Sequence, residues 1–335
     1  MNEVNRPMKV CVIGLGSMGK RRVRDLLALG IEQVAGMDLS SERCAEVERL
    51  FGIETFSCAE QVFSDLKFDA LVISTPPDQH VTYGERAAKA GKPFFMEANV
   101  VLTGLPELDL LCKSQKVFAA PSCTMRFHPS VKVLKQMVER ISPREIASFS
   151  YVSGQYLPDW HPWEDYRQFY AARKDTGACR EIVPFELNWL TWLFGEVTGI
   201  TAIKAKRAKL EVEIDDIYLL TVIFNSGVIG SLEVNVISRI PERTFRAISE
   251  GWHIIWNWQD QKVTLYDAGA DSWKIYPESH GFKKYNLETM YLDEMKAFIT
   301  AVKGEGEYDY SLDDDIKILQ TLYRADQFAE EIYHG

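Results

Sequence analysis

Three glycines near the N-terminus have the spacing of a phosphate-binding turn. Gly14, Gly16 and Gly19 form a G-x-G-x-x-G pattern directly after residues 10–13, whose apolar, β-branched content predicts a strand buried on both faces. The first glycine permits a tight turn, the second lets a pyrophosphate approach the backbone, and the third lets the following helix pack on the strand. The N–H groups at the start of that helix would face the anion. The spacing alone is weak evidence, because glycine-rich turns often only connect elements.

An acidic residue after the next predicted strand strengthens the interpretation. Asp38 follows residues 33–37 and lies 19 positions after Gly19 (38 − 19), near the spacing of about 20 at which a carboxylate reaches ribose hydroxyls. Such a carboxylate accepts hydrogen bonds from the ribose diol and repels a 2′-phosphate, so NAD is predicted as the cofactor in preference to NADP. Arg43 is the one cation near enough in sequence to complicate this prediction.

The elements that position these residues alternate between strand and helix through the first third of the chain. A buried strand at residues 70–73 ends in Ser74-Thr75-Pro76-Pro77, and a strand at residues 93–96 ends in Glu97-Ala98-Asn99. Polar residues at carboxyl ends of parallel strands are typical of ligand sites in open α/β sheets. The first third therefore predicts an N-terminal Rossmann domain, a doubly wound parallel sheet, over residues 1–125.

The pattern changes in the remainder of the chain, where strand-like runs dominate. Residues 126–335 predict a C-terminal α+β domain with a large, mostly antiparallel sheet. Helices at residues 183–194, 289–302 and 313–333 are expected to cover this sheet, and the last helix is an alternative candidate for packing back on the first domain. The α/β class is thus predicted for the whole chain.

Composition excludes several function classes. The chain has 335 residues, 46% hydrophobic and 26% charged, with a formal net charge of −10, which argues against a nucleic-acid partner. Its six cysteines contain no C-x-x-C pair, which favours reduced thiols over disulfides or a metal site. We find neither a signal-peptide layout nor an apolar run of about 18 residues, so a cytoplasmic protein without a membrane partner is expected.

Further residues belong to the same pattern: His80 after the 74–77 turn, Arg126-Phe127-His128-Pro129, and a segment at 177–195 that ends in Trp192-Leu193-Phe194-Gly195. Together with the glycine turn, Asp38 and Glu97, they resemble the glucose-fructose oxidoreductase, inositol dehydrogenase and rhizopine-catabolism (Gfo/Idh/MocA) family over nearly the whole chain. The resemblance implies hydride transfer between NAD(P) and a carbohydrate-type substrate, a sugar, sugar acid or nucleotide sugar. It also implies that residues 126–335 bind the substrate and form a homodimer or homotetramer through the second sheet.

Twelve residues are expected to contact the cofactor. For His80 the alternative is a helix-start residue that bonds to backbone. The predicted cofactor contacts are Gly14, Gly16, Ser17, Met18, Gly19, Asp38, Ser74, Thr75, Pro76, His80, Glu97 and Asn99.

Residues 156–167 look like a branch of the family found in sugar and surface-polysaccharide pathways.

The chain departs from the family at its usual acid/base positions. The family usually has Glu-Lys-Pro where this chain has Glu97-Ala98-Asn99, and its glycine–aspartate–histidine signature, laid on Gly177, puts Glu181 and Phe185 at the acid and histidine positions. Alanine and phenylalanine cannot exchange protons. The missing groups are therefore replaced, or redox turnover has been lost.

Candidate replacements lie nearby in sequence. Glu181 is predicted as a catalytic base and His128 as a proton donor, although His128 also fits a role in shaping the site. Arg180 is a candidate for binding a carboxylate or phosphate. For Arg180 and Glu181 together, the alternative is a surface salt-bridge pair at a helix start. Arg126, Trp163 and Tyr166 complete the predicted substrate contacts; the aromatic run that includes the last two fits either sugar stacking or a buried loop or lid.

Three functions follow from these alternatives. The first is an NAD-dependent oxidoreductase on a sugar-type substrate with a rewired acid/base set. The second is a non-catalytic NAD-binding sensor or regulatory protein, which Ala98 and Phe185 favour. The third is a redox-neutral enzyme that recycles NAD during each turnover, which again needs an acid/base group such as Glu181.

Overall fold

The computed structural model describes residues 6–64, 67–162, 164–260, 262–276 and 288–334. The chain forms two compact units, residues 1–124 with 288–316, and residues 125–287 with 317–335. The late segment 288–316 thus belongs to the first unit. A single domain boundary near residue 125, as predicted from the sequence, assigns this segment to the second domain instead.

The sheet of the first unit is built from short, apolar, parallel strands. The two central strands are buried along nearly their whole length, as expected for a sheet covered on both faces. The strands are β1 (Lys9–Ile13), β2 (Gln33–Met37), β3 (Glu54–Phe56), β4 (Ala70–Ile73), β5 (Phe94–Met96) and β6 (Ala119–Pro121). Their order is β3-β2-β1-β4-β5-β6, all parallel. The order reverses direction between β1 and β4, the point at which open α/β sheets of this order bind dinucleotides.

Helices connect these strands, and one further helix comes from the late segment. Met295, Phe298 and Ile299 of that helix pack into the core formed by β1 and β5. The prediction that residues 289–302 cover the second sheet is therefore wrong: an apolar stripe shows that a helix has a buried face but not which sheet receives it. The helices of the first unit are α1 (Ser17–Ala28), α2 (Ser41–Phe51), α3 (Ala59–Ser64), α4 (His80–Lys89), α5 (Leu105–Gln115) and α8 (Glu288–Val302), with a 3₁₀ turn at Pro77–Gln79.

The second unit contains an eight-stranded sheet that is mostly antiparallel, as predicted. Its one parallel pair joins β7 and β10. The strands are β7 (Ser148–Tyr156), β8 (Val197–Ala205), β9 (Ile217–Phe224), β10 (Ile229–Asn235), β11 (Ile237–Ile248), β12 (Trp252–Asn257), β13 (Lys262–Asp267) and β14 (Ser272–Tyr276). They run in the order β14-β13-β12-β11-β7-β10-β9-β8.

Two details of this sheet differ from the sequence prediction and one agrees. The sequence pattern at residues 244–249 predicts one short strand, but β11 is much longer, because an irregularity between Ile237 and Glu242 lets the strand continue where the pattern breaks. No pattern in the sequence predicts β14. Asn225-Ser226-Gly227 is a hairpin turn signal, and the structure confirms it: Gly227 has a φ of +91°, and the Phe224 N–H donates to the Val228 carbonyl over 3.0 Å.

The helices of the second unit pack on this sheet. The predicted start of the central helix, near Val183, is wrong, because the helix begins at Ala178 and contains Pro184 within it. The missing N–H of one proline removes a single backbone bond, and the buried apolar face of the helix offsets that loss. These helices are α6 (Pro129–Ile141), α7 (Ala178–Phe194) and, from residue 317 onward, α9 (Leu312–His334), whose first residues belong to the first unit. 3₁₀ turns lie at Thr124–Phe127, Pro143–Glu145, Leu157–Asp159 and Tyr170–Ala172.

Two further observations bear on the class of protein. No helix within the described residues is both long enough and apolar enough to cross a membrane. All six cysteines lie in the described part of the chain, and no disulfide joins any two of them.

Candidate functional site

The glycine turn between β1 and α1 uses its three glycines in different ways. Gly14 has a φ of +91°, and a Cβ there would lie 2.6 Å from the Ser74 carbonyl oxygen; at Gly19 it would lie 1.8 Å from the Gly14 carbonyl oxygen. Both glycines are therefore required by the packing of the turn itself. A Cβ on Gly16 would meet no atom within 4 Å. The middle glycine faces open space, which is the side from which a ligand reaches the backbone.

The start of α1 fits a bound diphosphate. Gly16 is its N-cap and no side chain caps the helix, whose first residues are Ser17 and Met18. The first N–H groups of a helix have no partner within the helix, so they are available to an anion here. The buried Oγ1 of Thr75, at the end of β4, also has no hydrogen-bond partner within the described residues. Donors without partners at the β1–β4 switch point are what a dinucleotide site requires.

Asp38 lies at the end of β2 and is buried. Its Oδ2 accepts from the Leu15 N–H and its Oδ1 from the Ser40 N–H, each over 2.8 Å. These bonds fix the carboxylate beside the glycine turn, and a carboxylate has further lone pairs for ribose hydroxyls. The Arg43 guanidinium lies 3.6 Å from Oδ2. The carboxylate that favours NAD over NADP and the cation that complicates this prediction therefore lie next to each other.

Glu97 and Ser74 form a polar cluster at the ends of β4 and β5. The buried Arg22 guanidinium donates to both oxygens of Glu97, over 2.7 and 2.9 Å, and Ser74 Oγ donates to Glu97 over 3.1 Å. Arg22 also donates to the buried Glu294 of α8 over 2.8 Å. Glu97 thus has a clear structural role, and its predicted cofactor contact stays a prediction.

His80 and Asn99 are buried and bonded to protein groups, whereas Pro76, in the turn that precedes His80, is exposed. His80 Nε2 lies 2.9 Å from the Thr75 carbonyl oxygen, and Nδ1 lies 2.7 Å from Asn99 Oδ1. This geometry fits the alternative role of His80 as a helix-start residue bonded to backbone. Burial lowers the pKa of His80, while its hydrogen bonds to Asn99 and Thr75 raise it.

We did not predict from the sequence that Asp315 contacts Asn99. Asn99 Nδ2 donates to Asp315 Oδ2 over 2.7 Å, although the two residues are 216 positions apart. The only signal in the sequence was the acidic start of α9, which an exposed helix terminus explains equally well.

In the second unit, the Glu181 carboxyl has an unusual environment. Glu181 lies in the first turn of α7, where its N–H donates to the Gly177 carbonyl over 2.9 Å. Its Oε1 accepts from the Tyr170 hydroxyl over 3.0 Å, and its buried Oε2 has no partner within the described residues. Burial raises the pKa of Glu181 to about 8, against a smaller lowering by the Tyr170 hydroxyl. A carboxyl that is half-ionised near this pH is suited to accept or donate a proton.

The environment of His128 differs from the one that its predicted role as a proton donor requires. It is buried at the N-cap of α6, where Nδ1 accepts from the Ser130 N–H over 3.2 Å, and its ring stacks on Trp258 at a centroid distance of 4.9 Å. Burial, assisted by the Arg243 charge, lowers the pKa of His128 to about 3. The neutral imidazole with its Nδ1 used as a cap suits a shaping role better than proton donation at neutral pH.

Arg180 is held by groups of its own unit. It donates to Asp326 Oδ2 over 2.9 Å and to the Asp175 carbonyl over 2.8 Å. Asp326 also accepts from Lys204 and from the Tyr218 hydroxyl. The salt bridge from Arg180 thus goes to Asp326 and anchors the start of α7.

The other predicted substrate contacts are dispersed. Arg126 donates to the side chain and the backbone carbonyl of Asn188 over 3.0 and 3.2 Å. The Tyr166 hydroxyl, in a partly exposed loop, accepts from the Glu211 N–H over 3.3 Å. Trp163 lies outside the described residues.

An aromatic series leads to Glu181. The rings of His161 and Phe169 lie 5.4 Å apart, and those of Phe169 and Tyr170 lie 5.8 Å apart, all in edge-to-face contact. Tyr170 then donates to Glu181. Trp160, at the beginning of this segment, has a buried Nε1 without a partner among the described residues. The segment thus combines aromatic rings with one buried donor, Trp160 Nε1, that has no partner among the described residues, and its Tyr170 contacts the candidate base.

Solved structures share this fold over nearly the whole chain. An oxidoreductase from Agrobacterium radiobacter, solved with NAD⁺, L-tartaric acid and magnesium, has a TM-score of 0.85 at 16% identity, covering 97% of both chains. Levoglucosan dehydrogenase, solved with NADH and levoglucosan, has a TM-score of 0.86 at 18% identity, covering 97% of this chain and 98% of the other. UDP-N-acetylglucosamine 3-dehydrogenase from Acidithiobacillus ferrooxidans has a TM-score of 0.79 at 16% identity with the same coverage.

Sequence comparison identifies the family. An uncharacterized oxidoreductase of Synechocystis sp. is 21% identical over 152 residues, which are 44% of this chain and 40% of that protein's length. The model of an oxidoreductase family with an NAD-binding Rossmann fold matches residues 8–117, and that of the Gfo/Idh/MocA C-terminal domain matches residues 134–252. These two matches together cover more than half of the chain, which therefore belongs to the Gfo/Idh/MocA oxidoreductase family.

Proposed function

We propose that this protein is an NAD-dependent oxidoreductase that acts on a hydroxyl or carbonyl carbon of a small carbohydrate-type molecule, with Glu181 as its acid/base group. The observation that carries the proposal is the buried Oε2 of Glu181, which lacks a partner within the described residues, on a carboxyl whose pKa burial raises to about 8. A structural carboxylate is normally satisfied by several donors, so a nearly bare one needs another explanation.

The chemistry assigned to Glu181 follows from the needs of alcohol oxidation. NAD⁺, when bound, accepts the hydride from the substrate carbon. The hydroxyl on that carbon must lose its proton, and in this proposal the Glu181 carboxylate receives it; in the reverse direction the protonated carboxyl returns it. Ala98 and Phe185 carry no titratable group, so Glu181 replaces both of the acid/base residues that the family usually has there.

Two features favour a carbohydrate-type substrate. The rings of His161, Phe169 and Tyr170 form a series that ends at the hydrogen bond from Tyr170 to Glu181, and aromatic side chains are suited to the apolar faces of sugar rings. Among proteins of similar fold are, by their names, a levoglucosan dehydrogenase and a UDP-N-acetylglucosamine 3-dehydrogenase. Their low identity supports the fold alone, so the substrate class depends mainly on the aromatic residues.

The cofactor site is tested by a pair of glycine substitutions. Gly16→Ala places a methyl group in the open space over the turn, so we expect the protein to fold normally and to bind NADH at least about tenfold more weakly. Gly251→Ala is the matched control, since its Cβ also meets no atom within 4 Å. Calorimetry with NADH and NADPH provides the measurement. Equal affinity of both variants would contradict the site, and tighter binding of NADPH would contradict the preference for NAD.

Catalysis is tested by following the nicotinamide absorbance with a panel of sugars, sugar acids and nucleotide sugars. We expect at least one of them to be oxidised or reduced, with the rate lost in Glu181→Gln. If a substrate turns over equally fast in Glu181→Gln, the assignment of Glu181 fails while the oxidoreductase activity stands.

A non-catalytic NAD-binding sensor is the second candidate, because Ala98 and Phe185 remove two proton-transfer groups at once. NADH binding without turnover of any compound in the panel would favour this candidate. Testing the double variant Ala98→Lys, Phe185→His on the same panel then shows whether only those two groups were missing.

We also propose that the protein forms a homodimer or homotetramer through the open face of the second sheet. Four aliphatic side chains on this face are exposed by 42–48% of their surface, and the strand register aligns them in cross-strand pairs. Light scattering should show an oligomer that Ile223→Glu weakens; a monomer at micromolar concentration would contradict the proposal. The four residues are Ile203, Leu219, Ile223 and Ile229.

A further inference from the structure

A buried chain of hydrogen bonds runs through the first unit from the turn after β4 to the start of α9. It begins at the Thr75 carbonyl, passes through the His80 ring and the Asn99 amide, and ends at the Asp315 carboxyl. The Tyr310 hydroxyl donates to the other oxygen of Asp315 over 2.6 Å. His80, Asn99, Asp315 and Tyr310 are each exposed by 5% or less, so this chain is shielded from solvent.

Counting donors along the chain reveals an unusual constraint. The Thr75 carbonyl only accepts, so His80 Nε2 must carry a proton. With Asn99 Nδ2 donating to an ionised Asp315, Asn99 Oδ1 faces His80 Nδ1, which must then also carry a proton, making the ring a cation. With the Asn99 amide turned over, Nδ2 donates to a bare Nδ1, and Oδ1 faces Asp315, which must then be protonated.

These two arrangements contain the same number of protons. Passing from the first to the second, one proton leaves His80 Nδ1, one arrives on Asp315 Oδ2, and the Asn99 amide rotates by half a turn; no other bond is made or broken. We propose that His80 and Asp315 share one proton through the Asn99 amide, and that this pair fixes the Thr75 carbonyl beside the glycine turn in both arrangements.

The surroundings of His80 act in opposite directions. Burial lowers the pKa of His80 and so favours the neutral pair. The negative charges of Glu97, at the end of β5, and of Asp78, in the 3₁₀ turn before α4, raise the pKa of His80 and favour the ion pair. The Tyr310 hydroxyl, which donates to Asp315, also favours the ionised carboxylate.

The consequence is that His80 acts as a positioning residue. The Thr75 backbone lies against the glycine turn, since a Cβ on Gly14 would be 2.9 Å from the Thr75 nitrogen. His80 Nε2 donates to the Thr75 carbonyl in both arrangements and so keeps this wall of the turn in place without touching the cofactor. This positioning role rests on the proposed cofactor site, whereas the shared proton does not.

The proton is measured directly by nitrogen NMR of the full chain labelled at histidine, without cofactor, between about pH 6 and 8. The His80 signals are identified by their loss in His80→Gln. We expect Nε2 to be protonated throughout and Nδ1 to lie between its protonated and bare values. In Asp315→Asn the exchangeable acid is lost, so Nδ1 should move fully to the bare value. Asp313→Asn, an exposed neighbour at the same helix start, controls for the loss of one negative charge.

A second variant keeps the test independent of the Asp315 substitution. Tyr310→Phe removes one donor to Asp315, so the carboxyl should hold its proton more tightly and Nδ1 should shift toward the bare value by a smaller amount. An Nδ1 signal that is the same in the parent, Asp315→Asn and Tyr310→Phe proteins overturns the shared proton, as does a bare Nε2. The readout needs no cofactor, so it stands even if the protein binds no NADH; weaker NADH affinity in Asp315→Asn but not in Asp313→Asn then tests the positioning role.

Discussion

Two carboxyls of the same helix, α7, have opposite environments. Glu181, in the first turn, accepts one hydrogen bond, from Tyr170, and leaves its Oε2 without a partner in the described structure. Glu186 lies little more than one helical turn later and is fully buried, and each of its two carboxylate oxygens accepts two hydrogen bonds. Its donors are the Tyr151 hydroxyl at 2.9 Å, Ser153 Oγ at 2.9 Å, Trp189 Nε1 at 2.8 Å and Arg243 Nε at 2.9 Å.

The difference shows how a structural carboxylate is distinguished from a candidate functional one. Glu186 exchanges its hydration for four donors, one of them charged, so its burial is compensated within the fold. Glu181 loses hydration without equal compensation, and burial raises its pKa to about 8. An uncompensated group persists where something other than stability retains it, and proton transfer to a bound substrate is such a use.

The largest expected effect is on turnover. Glu181→Gln removes the proton acceptor with little change of shape, so the rate with a substrate identified in the sugar panel should fall about 10²- to 10⁴-fold. The free energy of unfolding should stay the same or rise, because a poorly compensated carboxyl has been removed. Glu164→Gln, an exposed residue of the neighbouring loop, is the control and should keep full activity. A fall below tenfold would place Glu181 with the structural carboxylates.

The converse substitution should damage stability. Glu186→Gln leaves the Arg243 guanidinium without its counter-charge and replaces an acceptor of four bonds by an amide that must also donate. We expect a loss of about 3–5 kcal/mol in the free energy of unfolding, measured with urea. A loss of less than about 1 kcal/mol would show that the four hydrogen bonds contribute little, and the comparison between the two carboxyls would lose its basis.

The pH dependence of turnover should follow the Glu181 carboxyl. Oxidation needs the carboxylate, so its rate should rise about tenfold per pH unit below about 8 and level off above it. Reduction needs the protonated carboxyl, so its rate should be level below about 8 and fall above it. Both profiles should disappear in the residual activity of Glu181→Gln. A midpoint near the ordinary glutamate range, about 4 to 5, would show that the group is solvated when substrate is bound.

Much of the first unit could be predicted from the sequence, because the residues that indicate it lie close together along the chain. The glycine spacing, the strand that precedes it and Asp38 lie within one β-α-β unit, and the structure arranges them as that unit requires. Gly14 and Gly19 serve the turn and Gly16 leaves space for a ligand, a division of roles that follows from the backbone path alone. The six-strand order was likewise constrained by right-handed crossovers.

What escaped prediction depends on contacts between distant parts of the chain. Asn99 gave no sign of pairing with Asp315, 216 positions away, and the apolar stripe of α8 did not reveal that it joins the first sheet. Local rules also misled at α7, where Pro184 suggested a helix start that lies five residues earlier in the structure. Glu181 was found as a candidate from its position in the resemblance, but neither its single hydrogen bond nor the role of Tyr170 has a sequence signature.

The smallest predicted effect isolates that single hydrogen bond. Tyr170→Phe removes the only donor to the Glu181 carboxyl in the described structure, and because the Tyr170 hydroxyl lowers the pKa of Glu181, its loss should move the midpoint of both pH profiles upward, by about one unit. Oxidation measured at pH 7 should then slow by about tenfold, while the rate above the new midpoint should be unchanged. Tyr266→Phe, whose hydroxyl donates to the exposed Asp271 carboxylate instead, is the control. If Tyr170→Phe lowers the rate equally at every pH, Tyr170 acts on the substrate and not through Glu181, because a change confined to the proton equilibrium of Glu181 disappears once the carboxyl is fully ionised.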